Sequence, residues 1–128
     1  MSDNDKIPII EGIDINEGMG RLMHRWDMYE RLLKGFYTDH LQFIQSFEIA
    51  RHLGDKDRLK QMIHSFKGIT GTISATRLYQ GSIQIEVAYR NNDENIDLLW
   101  DEIKANLIKL MAELREKLNI DNRSPDNK

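Results

Sequence analysis

Residues 59–75 read LKQMIHSFKGITGTISA, and the spacing of apolar and small side chains in this stretch decides how the flanking chain is read. On a helical wheel centred on His64, at about 100° per residue, Leu59, Met62, Phe66, Ile69 and Ile73 fall within about 40° of the opposite pole. Ile63 and Thr70 widen that arc on one side. This is the stripe of an amphipathic helix, and burying it turns His64 toward solvent. Gly68, Gly71 and Ala75 lie within about 40° of His64, and Lys60 and Lys67 about 40–60° to one side. A glycine inside a helix costs about 1 kcal/mol relative to alanine, so two of them beside an exposed histidine need an offsetting gain. One such gain is clearance, with no Cβ to keep a second protein from the imidazole. The other is close packing of a neighbouring helix, which suits either glycine alone; clearance suits the pair, because both point with His64.

Working outward, the same 3.6-residue period continues on both sides. Gly54-Asp55 ends one helix and caps the next, which is expected to run through His64 to about Ala75. Upstream, Asp27 and Glu30 have capping-box spacing and predict a long helix with the stripe Tyr29, Leu32, Leu33, Phe36, His40, Phe43, Ile44 and Phe47. Asp14 and Glu17 repeat that spacing and predict a short first helix, which Gly18 and Gly20 make dependent on packing. Downstream, Thr76 can cap a helix carrying Leu78, Ile85 and Ala88, and Asn91-Asn92-Asp93 reads as a turn and cap before a last helix from Ile96 to Leu118. The prolines, Pro8 and Pro125, both lie outside these segments. The expected fold is all-α, an antiparallel up-down four-helix bundle over residues 13–120 with a short extra N-terminal helix. Residues 1–12 and 121–128 read as flexible tails.

Composition narrows the function classes. A chain of 128 residues is the size of one domain with its own core. A net charge of −3 gives no broad basic footprint, so nucleic acid is not an expected partner. The absence of cysteine rules out disulfides and thiolate chemistry. The polar N-terminus has no signal-peptide pattern, and no apolar run approaches the roughly 20 residues of a spanning helix, so a cytoplasmic protein without membrane contact is expected. The other histidines, His24, His40 and His52, form no His-x-x-x-His pair, and Glu48 with His52 reads as a surface contact, so no metal site is expected. Gly68-Ile69-Thr70-Gly71 is not a phosphate-binding Walker loop. Trp26 and Trp100 read as core or boundary aromatics. What remains is His64 itself. An imidazole ordinarily titrates near about 6.5 and is largely neutral and nucleophilic at physiological pH, and Lys67 one turn on can offset charge on a phosphoryl group.

These residues resemble a known family. HSFKG (64–68), Gly71 and the run ATRLYQGSIQIEVA (75–88) resemble the histidine-containing phosphotransfer domains of bacterial and fungal phosphorelays, as does the opening GIDINEGMGRLMHRWDMYERLLKGFYTDH (12–40). The likeness covers roughly 13–118, and it is the flanks that make the short HxxKG pattern specific. The resemblance implies that His64 takes the phosphoryl group, Lys67 contacts it and Gly68 clears the docking surface. It implies a carrier rather than an enzyme. The acidic pocket, Mg²⁺ and phospho-aspartate come from a partner receiver domain, and this chain binds no cofactor of its own. Response-regulator receivers and a hybrid sensor histidine kinase are the implied partners, with the chain a monomer. The family often has glutamine on the next helix to orient the imidazole or phosphate; the matching residue here is Glu86, which can accept a hydrogen bond but repels phosphate, with Gln84 and Gln80 as substitutes. The docking face is expected to comprise Gly68, Gly71, Ala75, Lys60 and Gln61, joined by Ile15, Met19, Leu22 and Met23 of the first helix, unless these merely anchor that helix. Two other classes stay open: a non-catalytic helical adaptor, and the dimerisation element of a sensor kinase. The latter usually has an acidic His-Glu motif followed by proline, where this chain has Ser65 and Phe66. Met1 and the polar ends lean toward a free-standing protein, with a segment of a hybrid kinase as the alternative.

Overall fold

Two carboxylate caps and one left-handed glycine set the helix starts nearest the site. Asp14 accepts the Glu17 amide at 3.2 Å and opens α1 (Ile15–Gly20). Gly54, at φ 67°, closes α3 (Phe43–Leu53), and Asp55 accepts the Arg58 amide at 3.1 Å to open α4 (Lys56–Thr72). With α2 (Trp26–Asp39), α5 (Thr76–Arg90) and α6 (Ile96–Lys117), these are the regular elements of the computed structural model, which describes residues 7–120; among them all regular structure is helical. Helix α4 packs on α3 and α5, α5 on α6, α6 on α2, and α1 on α2. Trp100, Tyr29, Phe36, Phe47, Leu33 and Leu107 fill the interior between them. No helix among the described residues is long and apolar enough to cross a membrane.

The long helix expected from Asp27 to Gly54 is instead two helices, α2 and α3. His40 leaves helical geometry at φ −112°, ψ 11°, and its amide still reaches the carbonyls of Phe36 and Tyr37. Its ring Nδ1 lies 2.8 Å from the Phe36 carbonyl oxygen and the imidazole stacks on the Phe36 ring at 4.1 Å. The bend swings Phe43 onto Phe66 at 4.5 Å and Phe47 onto Trp100 at 4.0 Å. The apolar period runs through the joint unbroken, so the sequence carries no mark of it. Nor does Asp27 cap α2. Arg25 holds the cap position without a side-chain bond, and Asp27 sits in the first turn, paired with Arg25 at 2.9 Å.

Further along, α4 stops at Thr72 rather than near Ala75, because Ser74 takes a left-handed φ of 59° and turns the chain into α5. The cap expected at Thr76 falls instead on Ala75, and Thr76 is the first helical residue of α5, because the left-handed Ser74 ends α4 early and lets α5 start one residue sooner. Before α6, Asn92 is left-handed at φ 52° and Asp93 accepts the Asn95 amide at 2.8 Å, forming the expected turn, but the cap position falls on Asn95, beyond the expected Asn91-Asn92-Asp93. The N-terminal segment is not a loose tail over its described part: Ile10 is only 2% exposed, and the Glu11 amide donates to Glu113 Oε2 at 3.0 Å. Ile10 joins the hydrophobic core, and burying an apolar side chain is favourable wherever it sits in the chain, which a reading of local polarity overlooks. The rest of the expected tails, 1–6 and 121–128, lies outside the described residues.

Candidate functional site

The rotation of α4 about its axis is fixed before any chemistry enters. Leu59, Ile63, Phe66, Thr70 and Ile73 are buried, and Met62 and Ile69 half-buried, as the wheel requires. Phe66 is gripped from three sides, by Phe43, by Phe36 at 6.3 Å and by His40 at 5.6 Å. The one polar residue on the buried face, Thr70, satisfies its hydroxyl by donating to the Phe66 carbonyl at 2.8 Å. Turning α4 to hide His64 would therefore expose an aromatic cluster. His64 is exposed, with Lys60, Gln61 and Gly68 exposed on the same helix.

The two glycines of this face do different things. A Cβ on Gly68 would meet no atom within 4 Å, so the surface beside His64 is bare backbone open to solvent. A Cβ on Gly71 would lie 3.0 and 3.1 Å from two ring carbons of Tyr79. Gly71 thus allows close packing of the Tyr79 side chain from α5, and the expectation of clearance at Gly71 is corrected accordingly. Ala75 is also corrected: it is fully buried, because α4 has ended before it and the wheel no longer applies. The same holds for Met19, which is 4% exposed and belongs to the core. Ile15 and Leu22 are half-buried and pack against that core, whereas Met23 stands 86% exposed at a left-handed φ of 55°.

From α5, Glu86 reaches back to α4. Its Oε1 accepts from Lys67 Nζ at 2.8 Å, with the two side chains 23% and 28% exposed. The Lys67 hydrogen bond holds the Glu86 carboxyl below the usual carboxylate range against the opposing effect of burial, with smaller pulls from Arg90 and His64. Gln84, two residues back, lies about 200° round α5 from Glu86 and is exposed, so it does not share this place. Gln80, more than one turn before Glu86 on α5, lines a recess with Lys67, Gly68, Gly71 and Tyr79.

A second polar cluster borders the same recess and was not legible in sequence. Ser74 Oγ donates to Glu17 Oε1 at 2.9 Å and accepts from Arg21 Nη1 at 2.9 Å, and Arg21 also bonds Glu17 at 2.9 Å and the Thr72 carbonyl at 3.1 Å. The Tyr29 hydroxyl donates to the Ile73 carbonyl, and Gly18 lets that ring approach α1, where a Cβ would come within 2.6 Å of it. Together these fasten α1 to the α4–α5 turn. Glu17 and Arg21, four apart, are visible as a helical pair; Ser74, 57 residues from Glu17, has no sequence signal. Among the described residues no group of three or more His, Cys, Asp or Glu side chains is arranged to hold a metal ion.

The arrangement presents a solvent-facing imidazole on α4, with open backbone on one side and a lysine–glutamate pair on the other. No family model, curated protein or solved structure matches the chain.

Proposed function

We propose that this chain is a phosphocarrier of the histidine-containing phosphotransfer type, in which His64 accepts a phosphoryl group from a receiver-domain aspartate and passes it to a second receiver. The observation that carries the reading is the exposed His64 on a rotationally locked α4, beside Gly68, whose missing Cβ leaves open space. In this reading α2 and α3 count as one bent arm, which with α4, α5 and α6 forms an antiparallel up-down four-helix bundle, α1 being the extra element. The lone pair of an imidazole nitrogen forms the N–P bond as the aspartyl O–P bond breaks, and the electron pair leaves with the carboxylate. The reverse step unloads the group. Phosphoryl transfer is largely positioning and charge neutralisation, so a carrier needs little machinery. The receiver supplies Mg²⁺ and the acidic pocket, and Lys67 contacts the phosphoryl oxygens. The chain acts as a cytoplasmic monomer between a hybrid sensor kinase and a response regulator, without nucleic-acid or membrane contact.

The test is label transfer from a phosphorylated receiver, followed by mapping. His64→Ala is expected to abolish an acid-labile label while circular dichroism shows unchanged helix content, since position 64 is exposed. Label retained by His64→Ala rejects the assignment. One observation favours the second reading, a helical adaptor without phosphoryl chemistry: Lys67 is already committed to Glu86. An adaptor would bind receivers but never carry label.

A further inference from the structure

We propose that Glu86 is a positioning residue that limits how much phosphoryl group His64 holds at equilibrium, by competing for Lys67 and by repelling the phosphoryl charge. The inference rests on the phosphotransfer reading and deepens it. The ion pair is short, 2.8 Å, and both side chains are about a quarter exposed, so solvent screens it less than a fully exposed surface pair. His64 stands one turn before Lys67 on the outward side of α4, so a charge placed on the imidazole stands next to the lysine that Glu86 holds. A phosphoryl group brings about two negative charges to this spot. For Lys67 to meet them it must leave or share Glu86, and a half-buried carboxylate that loses its partner is left poorly solvated. Glu86 itself, meanwhile, repels the new charge. The first effect stabilises the unmodified state, the second raises the free energy of phosphorylated His64, and both lower the phosphorylated fraction. A neutral amide of the same shape would still accept the Lys67 hydrogen bond without repelling phosphate. Glu86 therefore biases the chain toward giving the group away: a small phosphorylated pool that unloads readily onto an acceptor.

The full chain can be charged without a partner by phosphoramidate. The imidazole lone pair forms the new N–P bond as the phosphoramidate N–P bond breaks, and ammonia leaves with that electron pair. With phosphoramidate and ammonia held at fixed concentrations, ³¹P NMR reads the equilibrium phosphorylated fraction of His64. Glu86→Gln is expected to raise the equilibrium constant about tenfold, and Glu86→Ala to raise it as well. In a Lys67→Ala background the gain from Glu86→Gln should shrink to about threefold, because only direct repulsion remains to be removed. A gain of equal size in both backgrounds overturns the competition for Lys67. An unchanged or lower fraction in Glu86→Gln overturns the inference while a labelled His64 leaves the relay reading standing. Wild-type chain that takes no label on His64 overturns both.

Discussion

His64 and His40 differ in what surrounds them. His40 is wedged among Phe36, Phe43 and Phe66, with one ring nitrogen held against a carbonyl oxygen, whereas His64 faces solvent with bare backbone beside it. The neighbour that matters most for phosphoryl chemistry is Lys67, whose ammonium sits one turn from His64 and 2.8 Å from Glu86. A charge-assisted hydrogen bond contributes about 1.5–3 kcal/mol. Lys67→Ala is therefore expected to slow transfer from a phosphorylated receiver by about tenfold or more without abolishing it, read from the rate of label appearance. A rate equal to wild type removes Lys67 from the step. The direction of the Glu86 shift has its own consequence. A carboxyl held below its unfolded value contributes stability that is present above that value and lost as pH falls through the folded one. Lys67→Ala should flatten that part of the acid limb of unfolding.

At the scale of elements, α4 and α5 are held together by unlike devices, and the glycines separate them. Gly68 faces open space, so Gly68→Ala meets no obstacle and gains the helical preference of alanine, about 0.5–1 kcal/mol. The same methyl stands beside His64 where a partner would settle. Gly68→Ala is thus expected to raise the urea midpoint, leave labelling by phosphoramidate unchanged, and slow labelling by a phosphorylated receiver. Loss of labelling by both donors would place Gly68 in the chemistry rather than the docking surface. Gly71→Ala must push aside the Tyr79 ring, 3.0 Å away, so it should give less stability than Gly68→Ala, or none, in the same urea titration. Helix α1 is an annex held by the Glu17–Arg21–Ser74 cluster and by Tyr29. Its docking brings Arg21 and Glu17 to the edge of the recess that Lys67 and Gly68 share.

For the whole molecule, the joint between α2, α3 and α4 carries a titratable group. Burial lowers the pKa of His40, against smaller raising effects from the Phe36 carbonyl and Asp39. The unfolded chain, with its imidazole titrating near about 6.5, then binds more protons than the native one as pH falls. Stability is full above the unfolded value, declines as pH drops through it, and levels off below the depressed folded value. The loss is at most about 1.4 kcal/mol per pH unit. Urea unfolding between about pH 7 and 5.5 is expected to show this decline, and His40→Phe, which keeps an aromatic ring among Phe36, Phe43 and Phe66, should reduce it. An identical slope in the variant would place the proton uptake elsewhere.

The sequence by itself determined which face of α4 is apolar, and with it the outward direction of His64, Lys60 and Gly68. It also determined the Asp14 and Asp55 caps and the Gly54 stop, because all of these depend on residues within one or two helical turns. Helical content followed from the same local periods. Contacts between distant residues decided the rest. The bend at His40 arises because its imidazole and Phe43 find Phe36 and Phe66, although the local period passes straight through. The burial of Ala75 and Met19, the filling of Gly71 by Tyr79, and the anchoring of Ile10 each depend on an element that folds back from elsewhere in the chain. So does the choice of Glu86 over Gln84 as the partner of Lys67, 19 residues away. A wheel assigns direction within one helix; what stands opposite is set by how the helices pack.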